Sequence, residues 1–121
     1  MNYTIEINNR PWRAIKNRTK EIEVRTNTQF DEFDYGILKQ EDTLTLINND
    51  TQELFGVKIL RVTHYNTIRE LLEKEGTKKT LSSGKDLEGG IMSINSLKGY
   101  KEGIDKNGVW ALKIQLIEEL K

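Results

Sequence analysis

Arg18-Thr19-Lys20-Glu21-Ile22-Glu23-Val24-Arg25 is the stretch on which the reading of this chain turns. Ile22 and Val24 alternate with Glu21, Glu23 and Arg25, which is the two-residue period of a β-strand. The pattern predicts a strand with Glu23 and Arg25 on one face and the two apolar side chains on the other. Lys20 stands at its start. Upstream, Trp12 and Ile15 share one helical face, and Pro11 suits a first turn, where its missing N–H costs nothing. Asn8 or Asn9 caps that helix, and Asn17 tolerates the left-handed conformation that ends one.

Outward from this junction, further alternation predicts strands over residues 3–7, 43–47, 54–63 and 109–117. In the 54–63 strand the apolar phase shifts between Phe55/Val57/Ile59 and Leu60/Val62, as a β-bulge or burial on both faces would produce. In the last strand Trp110, Leu112, Ile114 and Leu116 share one phase, which places Trp110 in the core. Thr67-Ile68-Arg69-Glu70 reads as a capping box, opening a short helix that stops before Gly76. Ile91, Ile94 and Leu97 fit another short helical face. Residues 26–40 read as a packed aromatic loop and residues 77–90 as a polar, glycine-bearing loop. Strands interrupted by short helices predict an α+β fold: a curved, mostly antiparallel β-barrel with helices packed at its ends.

The chain has 121 residues, the size of a single domain spanning 1–121. It has no cysteine, which excludes disulfides, thiolate metal sites and thiol nucleophiles, and its one histidine excludes a multi-His metal site. No cofactor is expected. The N-terminus lacks a basic stretch followed by an apolar run, and no apolar window approaches the ~20 residues that cross a bilayer. A cytoplasmic protein without a membrane partner is the expectation. Nineteen Lys and Arg balance nineteen Asp and Glu, against strongly nonspecific nucleic-acid binding. The charges are unevenly spread, however: Arg10, Arg13, Lys16 and Arg18 cluster on and after the first helix. Ser83-Gly84-Lys85-Asp86 lacks the spacing and the Ser or Thr of a phosphate loop, and no Gly-x-Ser-x-Gly elbow occurs.

The helix-to-strand stretch resembles the Gly-x-Lys-x-x-Glu-x-Arg pattern of ASCH domains, in the PUA-like superfamily. Lys20, Glu23 and Arg25 match it, and Arg18 stands at the Gly position. The segment VKILRVTHYNTIRELLEKEG from Val57 to Gly76 is similar to the family's strand and short helix, and Tyr100 with Gly108-Val109-Trp110-Ala111-Leu112 to its closing strand. The resemblance implies a PUA-like barrel with a cleft lined by the motif and a role in binding RNA. Some small relatives are amidohydrolases of acylated cytidine that use a Lys, a Thr and a Glu. Here Glu23 stands where those enzymes have the Thr nucleophile, and Glu75 is the counterpart of their Glu.

Three functions follow as expectations. The first is an RNA- or nucleobase-binding module in which Lys20, Glu23 and Arg25 hold a base, Tyr65, Tyr100 or Trp110 offers a stacking surface, and Arg10, Arg13, Lys16 and Arg18 hold phosphates. The second is a small amidohydrolase acting on acylated cytidine or a related nucleoside, using Lys20, Glu23 and Glu75. Against it, adjacent Glu21 and Glu23 are expected to raise the pKa of a Lys20 base. The third is a protein-interaction domain using the aromatics from Phe30 to Tyr35. A plain ion pair between Glu23 and Arg25 competes with all three. In the ligand-binding readings Lys20 and Glu23 occupy a solvated cleft, where replacing them costs little folding energy.

Overall fold

A computed structural model describes residues 1–117. Five strands form one sheet in the order β1-β3-β4-β5-β2: β1 Asn2–Ile7, β2 Ile22–Arg25, β3 Thr43–Asn48, β4 Leu54–Tyr65 and β5 Val109–Leu116. β1 runs parallel to β3, and the other three pairings are antiparallel. The sheet curls into a half-barrel within an α+β fold, as the alternation predicts. β1 and β2, neighbours in sequence, become its two edges because helix α1 (Asn9–Lys16) carries the chain across the opening.

The register between β4 and β5 shifts between Ile59 and Arg61, so the phase change in the sequence is an irregularity in the ladder. Ahead of it, Phe55, Val57 and Ile59 join Ile5, Ile7, Trp12, Leu44, Leu46, Leu112 and Ile114 in the inner core. Val109 and Ala111, on the opposite face of β5, join a second core with Ile22 and the helices α2 (Ile68–Glu75), α4 (Leu87–Asn95) and α5 (Tyr100–Asn107). β5 is thus buried on both sides. Within α1, Trp12 is buried, donates its indole N–H to the Leu46 carbonyl at 3.1 Å and stacks on Phe55. Trp110, in contrast, packs against this core but is only half-buried and lies beside His64, with ring centroids 4.7 Å apart, so the core placement expected for it becomes one at the core's rim.

Local signals set most boundaries. The Thr67 hydroxyl accepts from the Glu70 N–H, as a capping box requires, and α2 ends at Gly76. At the other end of the motif, Asn17 keeps φ −87° and Arg18 takes the left-handed conformation at φ 68°. The expected role of Asn17 therefore passes to Arg18, the residue at the family's glycine position. The 77–90 segment is not a loop throughout: it contains α3 (Thr77–Thr80) and the start of α4, capped by the Asp86 carboxylate on the Gly89 N–H. α5 had no predicted counterpart. Its start depends on Gly99 at φ 78°, where a Cβ would meet the Phe30 ring at 2.7 Å, and this turn delivers Tyr100 to the inner wall.

Candidate functional site

β2 pairs with β5 so that Glu23 lies opposite Leu112 and Arg25 opposite Trp110. Paired residues share a sheet face. Glu23 and Arg25 thus face away from Ile22 as the sequence predicts, but the face they occupy is the inside of the half-barrel. Lys20 and Glu23 are buried, with side chains 5% and 8% exposed, and this overturns the solvated cleft expected for them.

The three residues form one chain of charges. Lys20 Nζ lies 3.3 Å from Glu23 Oε1, and Arg25 Nε donates to Glu23 Oε2 at 2.8 Å. Lys20 also donates to the Ile22 carbonyl at 2.5 Å and to the Thr80 carbonyl. An ammonium has three N–H donors, and all three are engaged. Arg25 extends its guanidinium to the Tyr35 hydroxyl at 3.0 Å and to the Glu6 carbonyl at 2.8 Å. The last bond crosses from edge strand β2 to edge strand β1, so Arg25 ties the two sides of the opening together. Tyr35 in turn donates to Asp31 at 3.2 Å. The 26–40 loop therefore supplies a buried phenol to this network as well as covering the core.

Burial sets the electrostatics. It lowers the Lys20 pKa, and the nearby Glu23 carboxylate offsets only part of that effect, so the upward shift expected from neighbouring glutamates is corrected. Burial alone would push the Glu23 carboxyl up, but Arg25 and then Lys20 outweigh it and hold it below the usual carboxylate value. Arg25 is disfavoured by burial and stabilised by Glu23, with a net upward shift. Desolvation also raises the Tyr100 phenol.

A cavity of about 520 Å³ opens against this network. Lys20, Glu23, Arg25, Tyr100 and Arg10 line it, so five of the sequence-selected residues share one space. Glu6, Thr80, Ser82 and Lys98 lie in the same wall. Arg10 reaches Ser82 at 3.3 Å. Arg13 and Lys16 are on α1 outside the cavity lining, with their cationic groups 5.8 and 5.0 Å from the Trp12 ring centre. Arg18 lines a second cavity of about 330 Å³, which also touches Lys20.

Tyr65 and Glu75 belong to a different cluster. Arg61 forks onto Glu75 with bonds of 2.8 and 2.7 Å, and the Tyr65 hydroxyl donates to the same carboxylate at 2.6 Å. Neither residue lines the 520 Å³ cavity. Two members of the site are not selected for it by the sequence: Tyr35 reads as part of the packed aromatic loop and of a protein-interaction surface, and Thr80 carries no signal. Tyr35 opens a three-residue 3-10 turn, Tyr35–Ile37, and Thr80 ends a four-residue helix, both too short to show a period.

No curated protein matches the chain. Among solved structures, hypothetical protein PH0355 superposes with a TM-score of 0.81 at 26% identity, covering 97% of this chain and all of the other. Protein PF0455 from Pyrococcus furiosus gives 0.74 at 27% identity, covering 98% of this chain and all of that one. A family model for the ASCH domain matches residues 5–118. With the half-barrel and the helix-to-strand junction both present, the chain belongs to the ASCH domain family.

Proposed function

We propose that this ASCH domain binds RNA by drawing one base into the cavity at the opening of the half-barrel. The family is generally thought to bind RNA. The observation that carries the reading is that a buried charge network lines an open space of about 520 Å³ instead of being sealed by apolar side chains. Buried charges are expensive unless paired. Here each Glu23 oxygen has one cationic partner, which leaves further lone pairs for a ligand N–H. Arg25 has five N–H groups, three of them spent on Glu23, Tyr35 and Glu6. The wall thus offers a fixed acceptor beside a fixed donor, the complement of a nucleobase edge. The Tyr100 side chain supplies an aromatic surface in the same wall. Arg10 and Lys98 line the cavity and Arg13 and Lys16 follow along α1, a cationic path for phosphates outside the base site.

Fluorescence anisotropy with a short single-stranded RNA tests the reading. Binding should weaken steeply with salt. Arg13→Ala and Lys16→Ala should each lower the salt slope by about one, without changing base preference. Absence of binding at low salt would refute the proposal.

A further inference from the structure

Leu97, Lys98 and Tyr100 line the cavity, and the glycine between them, Gly99, backs the ring of Phe30. Phe30 is 54% exposed, and among the described residues it is the one phenylalanine, tyrosine or tryptophan that stands open to solvent. The other aromatics of its loop turn inward. Tyr35 is buried in the core, and Phe33 packs against that core with Tyr3 and Tyr35 as ring partners. Phe30 is nonetheless held in place. A Cβ on Gly99 would meet its Cδ2 at 2.7 Å, and its own N–H donates to the Thr28 hydroxyl at 3.2 Å. Lys98 Nζ stands 4.3 Å from the ring centre, so one cation belongs both to the cavity wall and to this ring. An apolar ring left in water forgoes the burial that the same loop gives Phe33 and Tyr35. A fixed ring beside a cation matches the two parts of a nucleotide, a flat base and a charged phosphate.

We propose that Phe30 is a stacking platform for the nucleotide next to the one drawn into the cavity, with Lys98 taking the phosphate between them. This rests on the RNA-binding reading given above. On binding, the base takes the ring face and the ammonium moves from the ring to the phosphate, exchanging a weak cation–π contact for an ion pair. The charges around the platform set the course of the strand. Glu32 faces solvent beside Phe30, and Asp31 and Asp34 are tied into the loop by the Tyr35 hydroxyl and the Phe33, Asn27 and Gly36 N–H groups. This acidic loop repels phosphate, so the sugar–phosphate chain passes on the Lys98 side and only the base reaches over Phe30. Every base has a π face, so the platform adds affinity for a strand over a free nucleotide without adding sequence preference.

Calorimetric titration with adenosine monophosphate, with the trinucleotide of adenosine, and with the same trinucleotide stripped of its two outer bases separates stacking from phosphate contact. Wild type should bind the intact trinucleotide roughly tenfold more tightly than the stripped one, the size of one base stack. Phe30→Leu keeps an apolar contact with Gly99 but has no ring. It should lose that factor and still bind the monophosphate as wild type does. Phe30→Ala should do the same, and Phe30→Trp should restore the gain. Lys98→Ala should weaken both trinucleotides alike and lower the salt slope by about 0.7, the value for one phosphate on a single strand. Wild type binding the two trinucleotides equally, or Phe30→Leu and Phe30→Ala matching wild type on the intact one, would overturn the inference and leave the RNA-binding reading standing. A loss confined to a Phe30→Ala that melts early, with Phe30→Leu binding normally, would assign the ring a structural role and overturn it too. If wild type binds no RNA, both proposals fall.

Discussion

The protein builds the same chemical unit twice, an arginine clamped on a glutamate with a tyrosine hydroxyl nearby, and the two copies do different things. At Glu23 the arginine side chain is 12% exposed, a second cation contacts the carboxylate, and a cavity opens alongside. At Glu75 the carboxylate is covered, but Arg61 is 42% exposed, and among the described residues no lysine forms an ion pair with the carboxylate, Lys113 acting on it only through its charge. Both carboxyls are held below their usual value: Glu23 against a large burial effect, and Glu75 chiefly by its bonds to Arg61. Tyr65 is pushed up to about 12 by desolvation and by its bond to Glu75. Residue types therefore do not mark a site. What separates the two units is burial of both charges together with open space beside them.

Removing one carboxylate from each unit should show the largest contrast. Glu23→Gln leaves Lys20 and Arg25 buried without their counter-charge and should cost about 3–5 kcal/mol in urea denaturation. Glu75→Gln exposes the loss to solvent through Arg61 and should cost about 1 kcal/mol. Equal losses would erase the distinction. Replacing each arginine comes next. Arg25→Lys cannot span Glu23, Tyr35 and the Glu6 carbonyl at once and should cost about 2–3 kcal/mol, whereas Arg61→Lys should stay within about 0.5 kcal/mol by the same measurement.

A smaller, cumulative effect should appear in acid. Both carboxyls have lower pKa values folded than the ordinary 4.5, so the unfolded chain binds more protons as pH drops below that value. Their contribution is fully present above about pH 4.5 and is lost as the pH falls through the folded-state values. Denaturation midpoints between about pH 3 and 7 should fall towards acid, and each Gln variant should flatten the fall, Glu23→Gln more than Glu75→Gln. A wild-type profile flat to acid would show that neither carboxylate is held as described.

The strands were legible because alternation is a local property. Leu44 and Leu46, or Ile22 and Val24, announce their faces without help from the rest of the chain. The bulge in β4 and the capping box at Thr67 were equally visible. α5 was hidden by its composition, with Gly103 inside it to allow close approach to the Asn27 backbone. At the site, the string of residues named Lys20, Glu23 and Arg25, but a two-residue period cannot say whether the polar face meets water or a barrel interior. That depends on the pairing of β2 with β5 and on Tyr35 arriving from the 26–40 loop. Glu75 and Tyr65 were singled out by sequence position, and the length of β4 carries them to another cluster.

The measurement that bears most directly on the account is amide chemical-shift mapping of isotope-labelled protein titrated with a short single-stranded RNA. Recognition at the Glu23 unit predicts saturable shifts at residues 22–26, 80–83 and 97–100, with residues 61–65 and 75 unmoved. Shifts centred on Arg61, Tyr65 and Glu75, with the cavity amides silent, would contradict it.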